Sequence, residues 1–503
     1  MKKTDFDFCV VGSGPSSYAL VQGLLDRCPS KSILVLEAGR KKFTESHLGL
    51  RQSSRQPFKL SPSINIGFGG TSQLWHNVLA PLDETDFLAR YLDARSDWQI
   101  TSNQLVNHYT RIAHIFGFDF RIYSEPQKFF DYENELSKIE FDESIFEPKV
   151  FVHPQSYLRC DEAFKKLQRD YIGLSIILGA EVQSYAERNS EVCVKYKCEK
   201  TSSIIDVSCG KLVLSAGALN SPLIIHNSIA IDQLPMLGRC LMDHPMGNMF
   251  QFRYPAKKTA RMFSAVRVDR GINAKVALRL TDNIRKKHKL PNSAFYLRPS
   301  FSEGPDDVTE RLKLDLLTVR KKLMRAQIPI REATGLMRNM NMIRQVIQYK
   351  TGFSSAHVLS DCMLVTEQFP DPMSRVSIGG ERSGSVAADV DVRWQLSERD
   401  LAHVDVLGDL IEEHLVRRNG AALTYDRAEV AWENRLASAA HHLGTVRMSR
   451  DATLGCVNSN LRLHNADSVF VCDGSVFPTS GNANPTFTCM ALADRLSEYL
   501  SNA

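Results

Sequence analysis

The chain has 503 residues, of which 43% are hydrophobic and 24% charged, enough for two joined globular domains rather than one small core. Its net charge of +5 is too small to indicate a nucleic-acid partner, and no run of about 18 apolar residues marks a transmembrane helix. The eleven cysteines are scattered singly without a CxxC pair, which argues against a secreted disulfide framework and against a zinc ribbon. Met1 to Asp5 leads into a strand-like segment without the apolar region of a signal peptide, so the cytoplasm is the expected compartment.

In chain order, Phe6 to Val11 reads as a buried strand, Gly12-Ser13-Gly14-Pro15-Ser16-Ser17 as a tight turn, and Tyr18 to Leu25 as a helix. Ser32 to Leu36 is a second strand that ends in Glu37-Ala38-Gly39, completing a right-handed parallel βαβ unit. Gly12 permits the sharp turn, and Gly14 lets the backbone approach a pyrophosphate seated at the helix N-terminus. The third glycine of a dinucleotide fingerprint is missing, and Ser17 or Ala19 takes the close helix–sheet packing there. That loop by itself is a weak signal. Glu37 strengthens it, because a carboxylate at the end of the second strand accepts hydrogen bonds from ribose hydroxyls and disfavours an extra 2′-phosphate. The alternative is an exposed glutamate at a strand end.

Segments near 174–198 and 203–215 read as further strands, Ser468 to Cys472 as another, and Thr486 to Leu500 as a helix with apolar positions near the 3.6 period. Cys193, Cys198 and Cys209 come nearest to a cluster, but they lie in strand-like runs without a fourth ligand, so core thiols are expected and no metal. Residues from about 250 to 430 differ in character, with alternating strands such as Ala274 to Leu278. Between Arg311 and Lys350 stand ten Lys/Arg against two Asp/Glu, a local excess of +8. Leu312, Leu316, Val319 and Leu323, and then Leu336, Met340, Ile343 and Ile347, give each half of that segment one apolar stripe. This describes a lid with a solvated basic face, or a dock for an anionic surface.

Four further stretches carry a resemblance. Gly67-Phe68-Gly69-Gly70-Thr71-Ser72-Gln73-Leu74-Trp75-His76, Ser215-Ala216-Gly217-Ala218-Leu219-Asn220-Ser221-Pro222, Gly238-Arg239-Cys240-Leu241-Met242-Asp243-His244-Pro245 and the segment from His441 to Leu496 resemble, in order, signatures of the glucose-methanol-choline oxidoreductases. The resemblance implies an α/β chain: a discontinuous Rossmann-like FAD-binding domain over 1–80, 150–250 and 430–503, and a substrate-binding α+β domain with lid on a mostly antiparallel sheet over 81–149 and 251–429. It also implies FAD as cofactor, held by Gly12, Gly14, Ser16 and Glu37 at the dinucleotide loop. Gly70, Thr71, Ser72 and His76 would stand at the flavin, Val182 at the adenine, Ala216 at the cofactor, and Asp473 and Gly474 along the ribityl and pyrophosphate region. Pro485 and Thr486 open the last helix, whose positive end would face the flavin. Several relatives tether FAD through a histidine where this sequence has Leu74, and His76 lies two residues too late, so the flavin is expected to be non-covalent.

Ala440-His441-His442-Leu443-Gly444-Thr445 resembles the family's H-x-x-G-T turn, which makes His441 the general base that takes the alcohol proton as hydride leaves. Asn484-Pro485 reads locally as an N-cap followed by proline at N1. The resemblance adds that Asn484 holds the substrate oxygen opposite His441. Glu367 to Pro370 and Ser374 to Val376 resemble a strand region roofing the site, without roles for single residues. The expected reaction is oxidation of a CH–OH group of an alcohol or sugar, with oxygen, a quinone or a redox protein as electron acceptor. A flavin-retaining lyase using His441 for acid–base cleavage is the alternative, and a flavin-containing interaction protein a third class.

Overall fold

A computed structural model describes residues 5–40, 50–54, 58, 63–91, 97–255, 266–269, 271–301, 303, 319, 343–344, 347, 359–379, 389–424 and 435–502. The basic stretches within 311–350 lie outside the described residues, apart from Val319, Ile343, Arg344 and Ile347.

Phe6–Val11 sits at the centre of a seven-stranded sheet. It runs parallel to Ile33–Glu37 on one side and to Ile204–Leu214 on the other. Leu174–Leu178 extends the sheet in parallel beyond Ile33–Glu37, and Val469–Val471 lies parallel to the end of Ile204–Leu214. Because both faces of such a sheet are covered, its strands are near-continuous apolar runs, and Val10, Leu34, Leu212 and Val469 are fully buried. The 174–198 region resolves into Leu174–Leu178, Ala180–Arg188 and Glu191–Cys198. The last two pair antiparallel with each other, and Glu191–Cys198 then pairs antiparallel with the start of Ile204–Leu214. Gly179, at φ +75°, supplies the left-handed residue between the first two strands.

Two helices cover this sheet next to each other, Pro15–Arg27 and Thr486–Ser501. Gly23 permits their approach, since a Cβ there would lie 2.2 Å from Ser497 Oγ. Cys209 is buried, Cys193 and Cys198 are partly exposed, and no group of residues able to hold a metal occurs among the described residues. No helix among them is long and apolar enough to cross a membrane.

The second, eight-stranded sheet is antiparallel throughout, in the order Val266–Asp269, Ile272–Leu280, Ser293–Ser300, Leu359–Thr366, Pro245–Arg253, Ala422–Leu423, with Phe146–Pro154 beside Ile272–Leu280 and Ala437–Ser438 beside Pro245–Arg253. Phe146–Pro154 and Pro245–Arg253 span the expected boundaries at 150 and 250, and both pair wholly within this sheet. Its core contains Phe250, Phe252, Phe295 and Trp394 and is closed by the helix Glu398–Ile411. Ser397 starts that helix with a capping box to Asp400, which satisfies otherwise orphaned amides at both ends of the turn. A small sheet joins Arg375–Gly379, Asp389–Arg393 and Leu50–Gln52.

The carboxyl ends of Phe6–Val11, Ile33–Glu37, Ile204–Leu214 and Val469–Val471 lie along one edge of the parallel sheet. The turns that follow them therefore gather at one place, the usual site for a ligand in an open α/β sheet.

Candidate active site

At the first of these turns Gly12 has φ +102°, and a Cβ on it would lie 2.5 Å from Ser215 O, so only glycine lets neighbouring strand ends stay paired there. Gly14 differs: a Cβ on it would meet nothing within 4 Å. Its open side adjoins the first turn of Pro15–Arg27, which has no side-chain cap, leaving amide donors of the kind that bind phosphate. Glu37 is buried and holds the loop from behind. Its Oε2 accepts from Ser13 N at 3.0 Å and Ser13 Oγ at 2.6 Å, and its Oε1 accepts from Gly39 N at 2.9 Å. Burial outweighs these hydrogen bonds and pushes its carboxyl up to about 7. Ser13 Oγ also accepts from Gly69 N at 2.9 Å, and a Cβ on Gly70 would lie 2.9 Å from Gly14 Cα. The two glycine-rich segments are thus packed on each other.

A cavity of about 1030 Å³ runs from this loop to the histidine pair. Gly12, Gly14, Ser16, Glu37, Gly70, Thr71, His76, Val182, Ala216, Asp473, Gly474, Thr486, His441 and Asn484 all line it. Two of the expected contacts do not. Ser72 is fully buried beneath the wall, where its Oγ donates to Gly69 O at 2.6 Å and accepts from Cys160 N at 3.0 Å. Pro485 is the N-cap residue of the last helix and stands off the lining. Asp473 is a hub between turns: Oδ2 accepts from Gly217 N at 2.8 Å and Ser221 Oγ at 2.6 Å, while Oδ1 accepts from Ser475 N at 2.8 Å. Leu74 lines the cavity at the position where a tethering histidine was expected to be missing.

His441 stands at the other end, on a turn shaped by Asp243. Asp243 Oδ1 accepts from the backbone N–H groups of His244 at 2.7 Å, Ala439 at 3.1 Å and His441 at 3.1 Å, and Oδ2 accepts from Ser438 Oγ at 2.5 Å. These bonds hold Ala440 in the left-handed region at φ 64°, a conformation that costs a non-glycine residue free energy and needs such support. Burial raises the Asp243 carboxyl to about 6. Gly474 lets the turn close, since a Cβ there would lie 2.8 Å from His442 O.

Asn484 Nδ2 lies 3.3 Å from His441 Nε2. Local reading made Asn484 an N-cap, but the helix begins at Thr486 after Pro485 and has no side-chain cap. The asparagine is turned toward the histidine instead. Burial, with His244 and His442 nearby, holds the His441 imidazole well below its ordinary value, so the ring is neutral at pH 7.

Three residues near His441 had no role from sequence. His244 Nδ1 is 2.8 Å from His441 Nδ1, and its Nε2 is 2.9 Å from Ser480 O. Gln368 Oε1 accepts from Asp243 N at 3.0 Å and from Trp394 Nε1 at 2.7 Å, and Gln368 N donates to Ser480 Oγ at 3.0 Å. Asp243 and His244 stand in one of the resembling stretches and Gln368 in another, but only the fold brings them behind His441.

A family model described as GMC oxidoreductase matches residues 370–493. The chain is 35% identical over 91 residues to the 6'''-hydroxyparomomycin C oxidase of Streptomyces lividus, covering 18% of this chain and 16% of that protein. It is 29% identical over 132 residues to the paromamine 6'-oxidase of Streptomyces fradiae, covering 26% of this chain and 23% of that protein. The matched stretches thus span less than a quarter of either relative. Among solved structures, pyridoxine 4-oxidase from Mesorbium loti matches with TM-score 0.57 at 16% identity, over 98% of this chain and 99% of the other. An FAD-dependent oxidoreductase from Chaetomium thermophilum matches with TM-score 0.58 at 15% identity, over 99% of both chains, and a fungal aryl-alcohol oxidase with TM-score 0.57 at 13%, also over 99% of both. At these identities the structures speak for the fold alone, which is shared from end to end. The GMC oxidoreductase model thus matches the carboxyl-terminal part of the chain, and the fold is shared with these solved structures over its whole length.

Proposed function

We propose that this chain oxidises the CH–OH group of a small alcohol or sugar with FAD as its cofactor, His441 acting as general base and Asn484 orienting the substrate oxygen. The observation that carries the reading is the 3.3 Å approach of Asn484 Nδ2 to His441 Nε2, in the wall of a cavity whose far end is the dinucleotide loop. The residues present fit FAD. Gly14 is open to close approach, the first turn of Pro15–Arg27 is uncapped, and Glu37 ends its strand on the cavity wall. The cavity is also at the upper end of the range of about 300–1,000 Å³ for ligand pockets, as a dinucleotide requires. Leu74 offers no nucleophile at the tether position, which supports non-covalent binding.

When bound, FAD supplies the hydride acceptor. The chain's own residues do the rest. The Asn484 amide donates to the hydroxyl oxygen and His441 Nε2 takes the hydroxyl proton, so negative charge on that oxygen never develops unpaired. The uncapped first turn of Thr486–Ser501 begins beside Asn484, and its dipole favours negative charge at that end of the cavity. The names of the relatives, oxidases of paromamine, pyridoxine and aryl alcohols, support an alcohol as substrate class. Oxygen, a quinone or a redox protein would then reoxidise the cofactor.

The test is anaerobic reduction of the FAD-loaded protein across a panel of alcohols and sugars. Bleaching by a substrate is expected, and product formed without bleaching would favour the lyase reading. His441→Ala should keep its flavin yet reduce it about 10²–10⁴-fold more slowly, the range for a lost general base. Wild-type reduction in that variant would overturn the assignment.

A further inference from the structure

His441 has two ring nitrogens, and only an unprotonated Nε2 can act on a hydroxyl held by Asn484. The hydrogen-bond chain behind it determines which nitrogen is protonated. Ser480 O is a carbonyl and only accepts, so His244 Nε2, 2.9 Å away, must carry a proton and donate it. A neutral His244 then has a bare Nδ1. The Nδ1 atoms of His244 and His441 are 2.8 Å apart, which requires one donor and one acceptor, so His441 Nδ1 carries the proton. Its Nε2 is left with a lone pair toward the Asn484 amide, as the 3.3 Å contact with Nδ2 requires.

We propose that His244 is a positioning residue that holds His441 in the Nδ1-protonated tautomer and accepts a hydrogen bond from it after proton uptake. His244 does not line the cavity and touches no substrate; it acts through His441. The proposal rests on His441 being the base, and goes beyond it by naming what makes it one. The anchor at the far end is rigid. Ser480 Oγ accepts from Gln368 N at 3.0 Å, Gly481 N donates to Glu367 Oε1 at 3.2 Å, and Asn482 Oδ1 accepts from Lys149 Nζ at 2.6 Å. A carbonyl held on both sides cannot turn away, so the proton stays on His244 Nε2. Burial keeps both imidazoles neutral at pH 7, with His244 held down at about 4, which is the state the chain of donors needs.

The experiment combines a tautomer measurement with a pair of variants. In full-length protein labelled with 15N histidine, the His441 ring signals, identified by their loss in His441→Ala, should show Nδ1 protonated and Nε2 bare. His244→Phe removes the acceptor and should shift His441 toward the other tautomer. Its limiting rate of flavin reduction should fall by about 10²-fold or more, with the substrate concentration for half-maximal rate nearly unchanged. His244→Asn places Oδ1 where Nδ1 was and keeps an acceptor, so it should restore the tautomer and the rate to within about tenfold of wild type. A wild-type His441 protonated on Nε2, or undiminished reduction in His244→Phe, would overturn the proposal. Normal reduction in His441→Ala would instead defeat the proposed function, so the two failures are distinguishable.

Discussion

Asn484 offers the sharpest separation between a structural and a chemical role. In the structure its amide lies 3.3 Å from His441 Nε2, and the helix that follows has no side-chain cap. Asn484→Ala should therefore cost one partly buried hydrogen bond, about 0.5–1.5 kcal/mol of stability. The same change removes the donor to an oxygen that becomes negative as its proton leaves, and a hydrogen bond to a charged group is worth about 1.5–3 kcal/mol. At about 1.36 kcal/mol per tenfold in rate, flavin reduction should slow by roughly 10- to 150-fold. Asn484→Ser, whose shorter side chain cannot reach the same oxygen, should be nearly as slow. Urea unfolding gives the stability change, and anaerobic stopped-flow reduction gives the rate. Wild-type reduction in both Asn484→Ala and Asn484→Ser would take Asn484 out of the chemistry and refute the reasoning.

Acid or heat should release the FAD into solution, because Leu74 cannot form a tether; flavin that stays with the precipitated polypeptide would contradict this. Glu37, raised to about 7 from an ordinary 4.5 by burial, binds its proton more tightly folded than unfolded. Its contribution to stability is thus fully present below pH 4.5 and is lost as pH rises through about 7. The apoprotein should lose roughly 3 kcal/mol from this group across that window, and Glu37→Gln should flatten the loss while weakening FAD retention; parallel pH–stability curves for the two proteins would refute the assignment. Because burial holds the His441 imidazole well below its ordinary value of 6.5, kcat/KM should show no inflection near 6.5 as pH falls. An inflection there would place His441 in a solvated setting.

Much of the fold was legible along the chain because its causes are local. Phe8 to Val11 and Ile33 to Leu36 are unbroken apolar runs that only a doubly covered parallel strand needs, and Gly12 marks a turn that a Cβ would obstruct. The strand at 272–280 and the last helix were likewise readable from their period, and that at 469–471 from its apolar run. His441 and Asn484 stand in stretches that resemble a family's signatures, so their candidacy also came from sequence. Where the local reading went astray, a distant partner intervened: Asn484 in an N-cap context turns to His441 rather than to the helix it precedes, and Ser72, in a glycine-rich turn, is drawn beneath the wall by Cys160.

What the sequence by itself determined is the set of elements and the identity of the chemical groups, since backbone preference and apolar period act over a few neighbouring residues. Only the tertiary structure decided which nitrogen of His441 faces the cavity. That depends on Asp243, His244, Gln368 and Ser480, which meet through hydrogen bonds spanning more than a hundred residues of chain, and a proton's position is settled by the geometry of its donors and acceptors, which no local pattern encodes.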